Sequence, residues 1–101
     1  MKLLTQKNRK ELPLLDVGRP SEVAFVKLFT PDSNWTWYIS EYSPTSGECF
    51  GLVDGFEREL GYFNLRELES IKGPLGLKIE RDRYFEPRKL MLIKADLDQV
   101  N

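Results

Sequence analysis

The stretch that decides the fold runs from residue 61 to residue 85 and reads GYFNLRELESIKGPLGLKIERDRYF. It carries a helix start, a helix stop, a following strand and a dense charge cluster. Asn64 stands as an N-cap, where its side-chain oxygen can accept from an unpaired amide of the first turn. Glu67 follows three residues later, at the capping-box position. Leu65, Leu68 and Ile71 step by three and form one apolar stripe at the helical period. Glu67 and Glu69 lie nearer the positive end of the dipole, and Lys72 lies at the negative end. Gly73 is expected as a left-handed stop, and Pro74 forbids continuation. Pro74 has no amide to donate, so the expected cap is the single-bond form.

Beyond the stop, Leu77, Ile79 and Arg81 alternate with Lys78, Glu80 and Asp82. Period two is the mark of a half-buried strand. On a strand, Glu80 and Asp82 share one face, while Arg81 and Arg83 share the other. Four adjacent charges can form a site. The simpler reading is a solvated strand end whose exposed ion pairs are each worth about 0–1 kcal/mol.

The chain has 101 residues, the size of one domain, with residues 1–22 as a short helix and connector, 23–87 as the core and 88–101 as a helix or tail. A chain of this length buries roughly 60–70% of its unfolded surface, enough for a core without staples. Apolar content is 41% and charged content 31%, which excludes disorder by composition. No apolar run approaches the ~20 residues that cross a bilayer, so no membrane role is expected. The opening MKLLTQKNRK lacks the apolar middle of a secretory signal. Net charge is −1, which does not announce counterion-driven DNA binding. Residues 78–89 carry five cations against three acids, a weak local excess.

There is no histidine. Serine–histidine triads, cysteine–histidine pairs and histidine-based zinc sites are therefore excluded. The single cysteine, Cys49, excludes an intrachain disulfide and a CxxC site. It reads as a small buried hydrophobe. The lack of disulfides fits a reducing cytoplasm.

In chain order, Thr5 can cap a short helix through about Leu12, and Pro13 ends it. Residues 16–22, with Gly18 and Pro20, form a connector. Residues 23–30 (VAFVKLFT) make the strongest strand. Val23, Phe25, Lys27 and Phe29 take one face, and Ala24, Val26 and Leu28 the other. Both faces are mostly apolar, which suggests a central strand covered on both sides. Lys27 is the odd member and is expected to snorkel out along a neighbouring ring. A turn at residues 31–34 leads to a strand over 35–42, with Trp35, Trp37 and Ile39 opposed to Thr36, Tyr38 and Ser40. A second turn leads to a strand over 48–54, with Phe50 and Leu52 opposed to Cys49 and Val53. Residues 60–63 read as a brief extended piece. Short connectors argue for antiparallel neighbours. Leu90, Ile93 and Leu97 favour a helix over about 88–98, and a strand over 89–94 is the alternative. The expected fold is α+β: an antiparallel β-meander of three to five strands with two or three short helices packed on it.

No phosphate-cradling glycine loop, dinucleotide fingerprint or EF-hand spacing is present. Two constellations remain. The acids Asp32, Glu41, Asp54, Glu80 and Asp82 would support magnesium-dependent phosphodiester cleavage if strands gathered them. The rings Trp35, Trp37, Tyr38, Tyr42, Tyr62, Phe63, Tyr84 and Phe85 would suit base stacking beside arginines if exposed. Solvated acids and core rings are the simpler readings of both sets. The binding candidates are Arg81, Asp82, Arg83, Trp37, Glu41 and Asp54. No metal site and no cofactor is expected. A pocket where the 65–72 helix meets the sheet is a further candidate.

Taken jointly, VKLFTPD (26–32), Thr36-Trp37, FGL (50–52), ELGY (59–62), LRELE (65–69), GPLGL (73–77) and ERDRYF (80–85) resemble a bacterial family of unknown function. Its members are found largely on plasmids and conjugative elements. The likeness covers about residues 23–87. Arg58 stands where that family's pattern has proline, and the N-terminal segment is short. The resemblance implies a cytoplasmic protein associated with mobile elements. Some relatives carry a label suggesting single-strand DNA cleavage, without established catalytic residues to transfer. The expected function is a non-catalytic accessory or interaction domain with a protein partner. The alternative is single-stranded nucleic-acid binding or metal-dependent cleavage.

Overall fold

The computed structural model describes residues 3–16 and 21–100. In chain order the elements are α1 (Gln6–Glu11), β1 (Val23–Ala24), β2 (Val26–Phe29), β3 (Thr36–Tyr42), β4 (Glu48–Asp54), β5 (Arg58–Asn64), α2 (Leu65–Ser70), β6 (Glu80–Arg81), β7 (Arg88–Lys89) and α3 (Leu90–Val100). Five strands make one antiparallel sheet in the order β5-β4-β3-β2-β6, and β1 pairs separately with β7. The fold is α+β. Strands β2 to β5 are the expected meander, and β6 returns to its far edge. The Gly18 and Pro20 positions of the connector lie outside the described residues.

Helix α1 starts as its sequence dictates. Thr5 Oγ1 accepts from Asn8 N, and the Asn8 side chain accepts in return from Thr5 N, a reciprocal cap. The sheet then separates two apolar layers. On one side Val26, Leu28, Trp37, Ile39 and Cys49 meet Leu3, Leu4 and Leu12 and the α2 residues Leu65 and Leu68. On the other, Tyr38 and Leu52 meet Leu90 and Ile93 of α3, with Phe50, Phe85 and Leu97 around them. The period-two reading is thus correct for β4 and for β3 as far as Ile39, beyond which Tyr42 falls on the same side as Trp37 and Ile39.

Four expectations change. The strand over 23–30 is two strands. Ser40 is an extra residue in β3, between the pairs Ile39–Gly51 and Glu41–Phe50, and on the other side of β3 the β2 ladder ends at the pair Val26–Ile39. The break at Phe25 reverses the alternation: Ala24 joins the α3 layer, whereas Val26 and Leu28 join the layer of Leu3, Leu4 and Leu12, which flank α1, and of α2. The central strand is β3, and the Lys27–Phe29 face of β2 is only half-buried.

Second, α2 ends at Ser70, before the expected stop. Ile71 leaves it in an extended conformation (φ −80°, ψ 142°) and is 41% exposed, so the third member of the stripe is not in the core. Gly73 is not left-handed; among the described glycines only Gly47 and Gly76 have positive φ. Gly73 is needed for space instead. A Cβ there would stand 1.7 Å from Asp32 Oδ1. The carboxylate occupies that room because its Oδ2 accepts from Leu75 N at 2.8 Å and Leu77 N at 3.4 Å.

Third, the strand over 77–82 shortens to β6. Gly73 N donates to Leu77 O, so residues 73–77 close on themselves rather than join the sheet. Only Glu80 and Arg81 pair with β2. Fourth, the brief piece over 60–63 is the full strand β5, paired with β4 over seven positions. At the C-terminus the helix prevails, after a two-residue β7.

Candidate functional site

Helix α3 covers only part of its face of the sheet. The uncovered part, beside β2 and β6, is a groove of about 680 Å³ lined by Lys27, Phe29, Trp35, Thr36 and the run from Glu80 to Tyr84. Lys27 projects into it because β2 alternation sends it opposite to Val26 and Leu28. Its Nζ lies 3.8 Å from Asp82 Oδ2 and 5.8 Å from the centre of the Tyr38 ring. The expected snorkelling along a ring is what the structure has, with the charge half-screened by solvent. Burial pushes the Tyr38 hydroxyl pKa up, and Asp54 and Asp82 push it further in the same direction.

Asp82 organises the groove wall. Its amide donates to Lys27 O at 2.9 Å, extending the β2–β6 contact by one bond. Its Oδ1 accepts from Tyr84 N at 2.9 Å, a local turn that Asp favours. Tyr84 is thereby held 86% exposed. Arg83 is exposed beside it. Arg81 turns to the other face, where its Nη1 donates to Leu3 O and ties down the N-terminal segment.

The remaining candidates do not converge on this groove. Trp37 is buried in the layer on the α2 side of the sheet, with its ring 5.9 Å from Trp35. Glu41 is 2% exposed. Its carboxylate accepts from Asp16 N at 2.9 Å and from Ser21 N, so it anchors both ends of the connector. Asp54 pairs with Arg58 at 3.2 Å, and Arg58 reaches on to Asp98 of α3 at 3.4 Å. Lys94 completes this chain at 2.8 Å from Asp98, whose pKa it holds down. Among the described residues, no three Asp, Glu, Cys or His side chains gather as metal ligands would. Cys49 is fully buried, and desolvation pushes its thiol up to about 12, which makes it a poor nucleophile.

Trp35 joins the groove to a second apolar surface. Its ring also meets Phe56 edge-on at 5.2 Å, and Phe56 is 94% exposed. Just past α2, a shallow concavity of about 310 Å³ is lined by Trp35, Trp37, Ile71 and Pro74. This is the pocket expected between the 65–72 helix and the sheet, shifted to the helix's end. Phe56 and Phe29 are not among the sequence candidates. Phe56 follows Gly55 in the tight turn between β4 and β5, and a turn ring with no strand period has no core face to occupy.

The model of a family described as "Protein of unknown function (DUF2958)" matches residues 2–99. No curated protein and no solved structure matches the chain.

Proposed function

This chain belongs to that family, and we propose from this premise that it is a non-catalytic interaction domain that grips a protein partner through the Lys27–Tyr84 groove. The reading includes a setting: the cytoplasm of a bacterium, as an accessory of a plasmid or conjugative element, which is the association implied by the family resemblance. One observation carries the non-catalytic part. Asp32, Glu41, Asp54 and Asp82 are each engaged in holding the fold. A general base or metal ligand needs lone pairs aimed at substrate; Glu41, Asp54 and Asp82 aim theirs at loop amides and cations, and Asp32 gives one oxygen to loop amides and buries the other against Gly73. The contact part rests on Tyr84, Trp35 and Phe29 beside Lys27 and Arg83, since aromatic and arginine side chains anchor interfaces.

The test of turnover is direct. Purified protein incubated with magnesium and a labelled single-stranded oligonucleotide should leave the strand intact. Cleavage that disappears in Asp82→Ala would overturn the reading. The same rings and cations also favour a second occupant, a single-stranded nucleic acid stacked on Tyr84 and Trp35. That reading expects salt-sensitive oligonucleotide binding weakened more by Arg83→Ala than by Arg81→Ala, because the Arg81 guanidinium is already engaged by Leu3 O. A flat titration at low salt removes it.

A further inference from the structure

The opposite edge of the sheet is β5, and its outer side is unpaired among the described residues. Its register with β4 runs from Asp54–Arg58 to Glu48–Asn64 without a shift. Leu65 N donates to Gly47 O at 2.8 Å, one step beyond the last pair, and this fixes the phase of the ladder. Residues 59, 61 and 63 exchange bonds with β4, so the N–H and C=O groups of Leu60 and Tyr62 point outward. Free edges are normally blunted by charged side chains, lysine above all, by proline, by a bulge or by a covering element. In the segment RELGYFN both charges, Arg58 and Glu59, stand at the start, and the stretch from Leu60 to Asn64 has no charge, no proline and no bulge. On the α3 face, Leu60 and Tyr62 are 44% and 45% exposed, and Leu60 borders an apolar groove of about 450 Å³ with Phe50 and Met91.

We propose that β5 pairs antiparallel with β5 of a second copy of this chain, across a two-fold axis at Gly61, to give a continuous ten-stranded sheet. The strand is self-complementary in this register. Leu60 stands opposite Tyr62 of the second copy, and Tyr62 opposite its Leu60, so four apolar side chains form one stripe on the α3 face. These are also the residues whose backbone groups point outward, so both pairs close as hydrogen-bonded pairs. Charge fits the same geometry. β5 starts at an acidic end, where Glu57 raises the pKa of Glu59, through a shared hydrogen bond first and like charge second. It finishes beside Arg66. Antiparallel pairing sets each acidic end alongside the other copy's Arg66 end. An isologous contact of this kind closes as a dimer instead of growing into a filament.

The experiment is a mass measurement in solution on the full chain, by light scattering across a concentration series. The expected result is a doubled mass. A monomer throughout the series overturns the proposal and leaves the edge to a strand from another protein. Leu60→Lys and Tyr62→Glu each alter an exposed side chain, and each alone should abolish the dimer. Mixed together they should restore it. The proposed register sets the introduced lysine of one variant against the introduced glutamate of the other, while the second cross-strand pair keeps its native leucine and tyrosine. A dimer that survives both changes, or a mixture that stays monomeric, overturns this register. Gly61→Cys gives an independent reading. A Cβ at Gly61 meets nothing within 4 Å in the monomer. Across the axis the two Cα atoms would stand about 4.5 Å apart, within disulfide range. Mild oxidation should give a covalent dimer, and failure to cross-link counts against the axis.

Discussion

The pairing of Asp32 with Gly73 shows how one residue can be chosen for a neighbour 41 positions away. Asp32 Oδ2 takes the amides of Leu75 and Leu77, while Oδ1 is buried against Gly73 without a hydrogen-bond partner. Local chemistry marks Gly73 as a left-handed stop, because glycine then proline after an apolar stripe is how helices commonly end. The space filled by a distant carboxylate has no local signature. The consequence is measurable. Gly73→Ala should destabilise by about 1–3 kcal/mol, since overpacking forces the loop or the carboxylate to move. Asp32→Ala alone should also destabilise, by leaving two amides without their acceptor. The double variant should cost less than the sum of the two, because removing the carboxylate frees the room that the added methyl group needs. Urea unfolding of the three variants checks this, and strict additivity would show that the two residues do not act on one another. Glu41 teaches the same lesson. Its neighbours in β3 suggest an exposed strand acid, whereas Asp16 N and Ser21 N make it a buried anchor.

At the scale of elements, what alternates was legible and what pairs at long range was not. β3 and β4 carried their two faces in plain view, and the Thr5 and Asn64 caps formed where they stood in the sequence. The Ser40 bulge and the two-residue β6 come from register between distant strands. β5 was obscured because Gly61 and Glu59 interrupt its apolar face, and its partner β4 supplies the order. Helix α3 was ambiguous because Met91 and Leu92 blur its stripe, and both prove to be exposed. Two interactions hold α3 on the sheet: Leu90 and Ile93 in the core, and the Asp54–Arg58–Asp98 chain at its far end. Magnitudes decide between them. Ile93 is 4% exposed, and truncating such a residue costs about 2–5 kcal/mol. The Arg58–Asp54 pair is partly open to water, and such pairs contribute about 0–1 kcal/mol. Ile93→Ala should therefore lower the urea midpoint several times more than Arg58→Ala. Equal losses would mean that the ion-pair chain, and not the apolar layer, docks the helix.

For the whole molecule, the sheet order separates two surfaces. The Lys27–Tyr84 groove lies by β2 and β6, and the free edge lies at β5. Both the groove and α3 are on one face, because Lys27 pairs with Tyr38 and Tyr38 packs on the α3 layer. A two-fold axis through Gly61, perpendicular to the sheet, keeps both grooves of the dimer on that shared face. Roughly eight strand spacings of about 4.8 Å then part them, close to 40 Å. Two like sites at fixed separation engage a partner with repeated epitopes far more tightly than a single site does, by about 10²–10⁴-fold when the spacing allows both to bind. Dimerisation at β5 and gripping at the groove should therefore be separable by substitution. Leu60→Lys should leave binding to a partner with a single epitope unchanged, measured by calorimetry, and should weaken binding to the same partner arrayed on a surface. Arg83→Glu should weaken both while leaving the dimer mass intact. If Leu60→Lys weakened the single-epitope interaction as much as the arrayed one, the β5 edge would itself be part of the gripping surface, and the division of the molecule into two edges with two tasks would fail.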